Sequence, residues 1–146
     1  NGLTSLKLIE NTSYDLIFSQ AVFEHIRQSE FAETINQCFR ILKKDGVMSH
    51  VIDFKDHLGG DLNNMRFPAS FWEAEWFAAF SGFYTNRMKV SEIILICQKA
   101  GFTVEASSSR LFDYMPIKRS SLAKEFEHLS EEDLMTSGAH LIMRKV

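Results

Sequence analysis

One stretch constrains this chain more than any other: Tyr14 to Phe54, YDLIFSQAVFEHIRQSEFAETINQCFRILKKDGVMSHVIDF. Asp15 to Ser19 is short, apolar and β-capable, the pattern of a central parallel strand. Ser29 suits a helix N-cap, with Glu30 in the first turn against the helix dipole. Phe31, Ile35, Cys38 and Leu42 then recur at helical spacing as one apolar stripe. Lys43 and Lys44 match the negative end of that helix, Gly46 supplies a stop, and Val47 to Phe54 reads as a second strand. Strand, helix and strand joined by short links imply a right-handed parallel crossover, half of a doubly wound α/β fold.

At 146 residues the chain suits one domain with a real core and is too short for two. Hydrophobic residues make up 45% of it, the range of folded globular proteins rather than disordered ones. The net charge of −3 gives no electrostatic footprint for nucleic acid. No apolar run approaches the ~20 residues that span a bilayer, and no signal-peptide pattern opens the chain, so no membrane partner is expected. Cys38 and Cys97 fall on helix faces without metal-ligand spacing, so they read as small buried hydrophobes in a reducing, cytoplasmic setting. The first residue is Asn rather than Met, which suggests a boundary or a trimmed end.

From Asp56 to Met88 the periodicity dissolves into an aromatic-rich insertion with Gly59-Gly60 and Pro68. Trp72, Trp76 and Phe80 sit four apart, so at least part of it is expected to be helical. Ser91 is the expected cap of a helix carrying Ile94, Cys97 and Ala100 to a stop at Gly101, and Phe102 to Ala106 reads as a strand. Leu122 to Leu129 looks helical, Ser130 and Asp133 fit a capping box, and Ala139 to Lys145 reads as a closing strand.

These residues resemble a known family, the class I S-adenosylmethionine-dependent methyltransferases of the small-molecule type. Tyr14 to Ile26 looks like the family's fourth strand and following loop. Phe39 to Gly46 resembles its helix end and turn, with Lys44 and Asp45 where the family usually has Pro and Gly. A bacterial subgroup pattern, His-x-Ile-Asp-x-x-Asp-His, is matched by His50, Ile52, Asp53, Asp56 and His57, with Asn86-Arg87 later. The resemblance implies a partial doubly wound, Rossmann-like sheet, mostly parallel with an antiparallel last strand and helices on both faces. Residues 1–146 would then be a single, incomplete methyltransferase domain from strand four onward, with 55–89 an aromatic insertion or lid.

In the family, a Gly-x-Gly loop after strand one admits the methionine part of the cofactor, and an acidic residue ending strand two holds the ribose. None of the seven glycines here forms a Gly-x-Gly. By resemblance, Ser19, Gln20 and Ala21 line the methionine end of S-adenosylmethionine, and His25 faces cofactor or acceptor. Local satisfaction of backbone groups by Glu24 and His25 is the competing reading.

His50, Asp53, Asp56 and His57 leave three readings open. They form a polar network, a substrate-facing set, or a metal cluster, since imidazole and carboxylate suit zinc or iron. Strand alternation puts His50 with Ile52 and Phe54, and Asp53 with Val51 on the opposite side. Asp56 and His57 lie past the strand end and are the candidate general base or substrate contacts. His50, Asp53, Asn86 and Arg87 are candidate substrate-binding residues, Arg87 through bidentate contact with an anionic group.

The expected activity is methyl transfer from S-adenosylmethionine to a small-molecule acceptor in the parent protein. The 146-residue chain alone is expected to be inactive. Its apolar strand-four edge would be covered by a homodimer or by its own N-terminal segment. The alternatives are a non-catalytic interaction or structural module and, third, a metal-dependent enzyme using His50 to His57.

Overall fold

The computed structural model describes residues 2–145. A short helix α1 (Gly2–Lys7) leads into strand β1 (Tyr14–Gln20). A 3₁₀ turn (Phe23–His25) and helix α2 (Gln28–Ile41) return the chain to strand β2 (Leu42–Asp53). The insertion holds a 3₁₀ turn (Asn63–Arg66) and the short helices α3 (Ala69–Trp72) and α4 (Glu75–Phe80). Helix α5 (Val90–Lys99), strand β3 (Phe102–Leu111), helix α6 (Glu131–Met135) and strand β4 (Thr136–Lys145) complete it.

The sheet order is β1-β2-β4-β3. β1 and β2 are parallel, joined by the α2 crossover, whereas β4 runs antiparallel to both β2 and β3. The expected antiparallel last strand is present. One parallel pair against two antiparallel pairs corrects the expectation of a mostly parallel sheet.

Phe31, Ile35 and Cys38 of α2 are buried against Met48, Ile52, Leu141 and Met143, and α5 adds Ile93 and Cys97 to the same core. Each such apolar side chain stabilises by about 1.5–3 kcal/mol. Both large helices therefore share one face of the sheet. On the other face point Leu16, Phe18, Ser49, Val51, His140 and Ile142, all half-buried or exposed, with Phe18 73% exposed. Helices on both faces were expected; among the described residues the second face carries none.

Several element ends differ from the sequence reading. Arg27, not Ser29, precedes α2. That helix ends at Ile41, because Leu42 is already extended and pairs with Tyr14. Lys43 to Gly46 then bulge out of the ladder, and the Lys43 ammonium meets the Asp15 carboxylate at 2.8 Å. Gly46 is required by crowding rather than as a helix stop, since a Cβ there would lie 2.7 Å from Leu42 Cγ. Ser91 is inside α5, where its hydroxyl donates to Asp133 at 2.8 Å, and Lys89 precedes the helix. Trp72 and Phe80 belong to two short helices split at Glu73-Ala74. Leu122 to Leu129 holds a single 3₁₀ turn, Lys124–Phe126, rather than a helix. The Ser130 cap is present, its Oγ accepting the Asp133 N–H at 3.0 Å.

A second, smaller core (Leu62, Met65, Phe112, Ile117, Phe126, Leu129 and Leu134) seats the insertion against the segment between β3 and β4. This fixes the insertion beside the carboxyl end of the parallel pair, where open α/β sheets place ligands.

Candidate functional site at the carboxyl end of the parallel strands

Ser19, next to last in β1, lies directly beside His50 on β2. Parallel register puts both side chains on the α2 face, and Ser19 Oγ lies 2.7 Å from His50 Nδ1. The Phe23 ring stacks on the imidazole at 4.0 Å between centroids. His50 is 2% exposed, and burial, with a smaller contribution from His140, lowers its pKa to about 4, so the ring is neutral at ordinary pH. Its Nε2 is buried without a hydrogen-bond partner.

Beyond Ser19 the chain turns sharply. Ala21 adopts φ +53°, a left-handed conformation costly for a residue with a Cβ. Its N–H donates to Val51 O at 2.9 Å, which ties the turn to β2. Gln20 and Ala21 are exposed at this rim. His25 Nδ1 is 3.2 Å from the Tyr84 carbonyl, so that nitrogen carries the proton and donates. The exposed His25 and His57 rings lie 5.2 Å apart. Ser19, Gln20, Ala21, His25 and His57 are thus brought to one edge.

The other expected site residues are committed elsewhere. Asp56 is buried and accepts backbone N–H groups from Leu58 at 2.9 Å, Gly60 at 3.0 Å, Asn64 at 3.3 Å and also Asn63. Both its oxygens organise the Gly59-Gly60 loop, which leaves no lone pair aimed at an acceptor. Asp53 points away from His50 and accepts the Lys55 N–H at 3.0 Å. Asn86 is 1% exposed; its amide donates to Phe23 O at 2.7 Å and Ile26 O at 2.8 Å, while its Oδ1 accepts the Met88 N–H at 3.1 Å. Arg87, also buried and at φ +61°, donates to Phe67 O at 2.7 Å and lies over the Trp72 and Phe126 rings. Asn86 therefore pins the insertion to the loop after β1, and Arg87 pins it internally. Asn86 presents no free group to a substrate, and the one unpartnered atom of Arg87, its Nε, is buried.

For the metal reading, Asp56 is engaged as above, and among the described residues no three His, Cys, Asp or Glu side chains converge to hold an ion.

Three residues that shape this edge were passed over in the sequence: Phe23, Arg27 and Tyr84. Arg27 forms a bidentate pair with Glu75 of α4, at 2.7 and 3.2 Å, and Tyr84 donates to Glu73 at 2.8 Å. Phe23 and Arg27 find their partners far along the chain and Tyr84 its partner 11 residues back, so no short local pattern marks them. Burial next to Glu24 is similar in kind: its carboxyl pKa is raised chiefly by desolvation, opposed by backbone N–H groups of Glu24 and Asp53.

The first crossover has a counterpart among known domains. A family model described as a methyltransferase domain matches residues 2–49, from α1 through most of β2. No curated protein sequence matches the chain. Among solved structures, it superposes on an S-adenosylmethionine-dependent methyltransferase from Archaeoglobus fulgidus with TM-score 0.56 and 12% identity, over 100% of this chain and 65% of that one. YcgJ from Bacillus subtilis gives TM-score 0.55 and 15% identity, over 94% and 66%. An S-adenosylmethionine-dependent methyltransferase from Mesorhizobium loti gives 0.51 and 13%, over 94% and 64%. The chain thus spans less than two thirds of the length of each of these relatives. A parallel β1–β2 crossover, continued by an antiparallel final strand lying between β2 and β3, gives this chain the class I S-adenosylmethionine-dependent methyltransferase fold.

Proposed function

We propose that the protein to which this chain belongs transfers a methyl group from S-adenosylmethionine to a small-molecule acceptor. The observation that carries this reading is the loop leaving β1. It lies within the methyltransferase-domain match, and its strained Ala21 turn holds an exposed rim at the carboxyl end of the parallel pair. Ser19, Gln20 and Ala21 fit one side of the cofactor's methionine end, and His25 stands next to them with Nε2 facing away from its carbonyl partner. The cofactor supplies an electrophilic methyl group. What the protein's own residues do is align an acceptor with that methyl and exclude water, since in-line displacement depends on orientation more than on acid–base power.

His57, exposed 5.2 Å from His25, is the acceptor-side group best placed to take a proton from an attacking hydroxyl or amine. Asp56 positions it indirectly by fixing the loop that follows. The aromatic insertion, tied down by Arg27–Glu75 and by Asn86, serves as the lid over this edge. Glycine-loop and ribose contacts have no counterpart in the sequence, so the 146-residue chain by itself is expected to be inactive.

Calorimetric titration with S-adenosylmethionine tests the reading. A version extended at its N-terminus to carry a Gly-x-Gly loop should bind at micromolar concentration, and the 146-residue chain should not. Absence of binding by the extended version sinks the enzyme reading. The open sheet face favours a second reading, a non-catalytic interaction module, and that result would leave it standing.

A further inference from the structure

The open face of the sheet carries a cavity of about 150 Å³ toward the carboxyl ends of β2 and β3, lined by Val51, Ser108, Arg110, Gly138, Ala139 and His140. None of these residues belongs to the Ser19–His25 edge. Strand register explains how the cavity forms. His140 pairs with Val51 on one side and Ser108 on the other, and Gly138 pairs with Asp53 and Arg110, so these residues share one face. Gly138 has no side chain, and the Arg110 guanidinium takes that place. A Cβ on Gly138 would lie 2.5 Å from Arg110 Nη2 and 2.9 Å from its Nε. The planar group is therefore laid across β4 instead of extending into water.

The guanidinium is seated but not satisfied. Arg110 is exposed and, among the described residues, has neither an ion pair nor a hydrogen-bond acceptor. Asp53, the carboxylate in its row, accepts the Lys55 N–H instead. His140 is occupied at both ring nitrogens, by Ser49 Oγ at 2.9 Å and Ser107 Oγ at 2.8 Å, so its ring is a fixed wall. The Ser108 hydroxyl lines the cavity and has no partner among the described residues. An accessible guanidinium with a free hydroxyl two residues away matches an anion. Its planar fork matches a carboxylate in particular, through two parallel hydrogen bonds. Val51 and Ala139 supply an apolar wall for a short hydrocarbon stem.

We propose that this cavity binds the carboxylate of a small organic acid, held in bidentate fashion by Arg110 and also by the Ser108 hydroxyl. Val51 is the register partner of Gln20, and its carbonyl holds the Ala21 turn. The guanidinium, over β4, lies two strands from β1, roughly 10 Å at the spacing of paired strands. The inference thus deepens the methyl-transfer reading by naming an acceptor class, a carboxylic acid anchored away from the reacting end. It rests on that reading for the acceptor role and not for binding.

The test titrates the isotope-labelled 146-residue chain, without cofactor, with sodium butyrate and with butyramide, its uncharged counterpart. NMR of the arginine Nε–H groups supplies the readout. The expected result is a saturable Arg110 shift, with butyrate binding about fivefold tighter than butyramide. Arg144, exposed on the same face, should show no saturable shift. Gly138→Ala puts a Cβ into the guanidinium seat and should erase the preference for butyrate with Arg110 still present, and Arg110→Gln should erase it as well. Equal binding of the two probes by the wild-type chain overturns the proposal. So does a butyrate shift that Arg144 matches, since that is charge screening. An Arg110 signal that moves on dilution of the chain alone and ignores butyrate means that a carboxylate of a second copy holds the site, and it too overturns the proposal. These readouts come from the native chain and stand even if neither variant folds. None requires S-adenosylmethionine, so failure here is distinguishable from failure of the cofactor titration.

Discussion

Asn86 shows how a single residue decides the site. Two of its side-chain hydrogen bonds join the insertion to the loop after β1 in a place that water does not reach, and a third, accepted from the Met88 N–H, fixes the side chain locally. Asn86→Ala would leave the Phe23 and Ile26 carbonyls without their amide donor, and a loss of about 2–4 kcal/mol is expected in urea unfolding. Two other buried groups set the pH dependence. His50 titrates at about 4 when folded against 6.5 in an open chain, so the unfolded state binds more protons between those values. Stability is expected to fall by about 3 kcal/mol as pH drops from 6.5 to 4, and His50→Leu should remove that dependence. Lys89 is fully buried, with its ammonium donating to Thr136 O at 3.0 Å and lying over the Phe54 ring. Desolvation lowers its pKa to about 7, against the opposing pull of Asp133, Glu92 and Asp53. The unfolded chain again holds the extra proton, so stability should rise from pH 7 toward 10, a rise that Lys89→Met should flatten in the same unfolding measurement.

At the scale of the element, β1 is the exposed part of the architecture. Among the described residues it pairs with β2 on one side only, while α1 packs on α2. Leu16 and Phe18 project from it into solvent. A strand edge with apolar side chains is a template for pairing, and a second copy of the chain is the partner expected for it here. Sedimentation of the 146-residue chain should show concentration-dependent self-association, and Phe18→Lys should shift it toward monomer. A wild-type chain that stays monomeric at high concentration would remove this expectation. The α2 crossover, by contrast, was legible from the stripe at Phe31, Ile35 and Cys38, because helix periodicity and burial are the same fact read twice. Its C-terminal end was not legible. Lys43 to Gly46 have the chemistry of a helix stop, yet pairing of Leu42 with Tyr14 stops the helix earlier.

For the whole molecule, the consequence is a site edge built by segments far apart in the chain. Strand β1 and its loop form one wall, while the insertion is held over it by Asn86 and by the Arg27–Glu75 pair. The latter is exposed on the Glu75 side, so Glu75→Ala is expected to cost less than about 1 kcal/mol of stability. The same change should loosen α4, which has no buried residue of its own, and hydrogen exchange over Glu75–Phe80 is the measurement that shows it.

The sequence by itself determined the strand–helix–strand unit and the family resemblance, and the resemblance implied the reversed last strand. The first two depend on periodicity, turn chemistry or short motifs, all local properties of the chain. Only the tertiary structure decided which polar residues remain available. Asp56, His57, Asn86 and Arg87 look equally functional in one dimension. Folding turns Asp56 onto four backbone N–H groups and Asn86 onto two carbonyls, and it leaves His57 in the open beside His25. The reason is that satisfaction is decided by how the chain folds: Asn86 meets carbonyls 63 and 60 residues away, and Asp56 meets nearby N–H groups only because the loop closes round it, which no local spacing encodes.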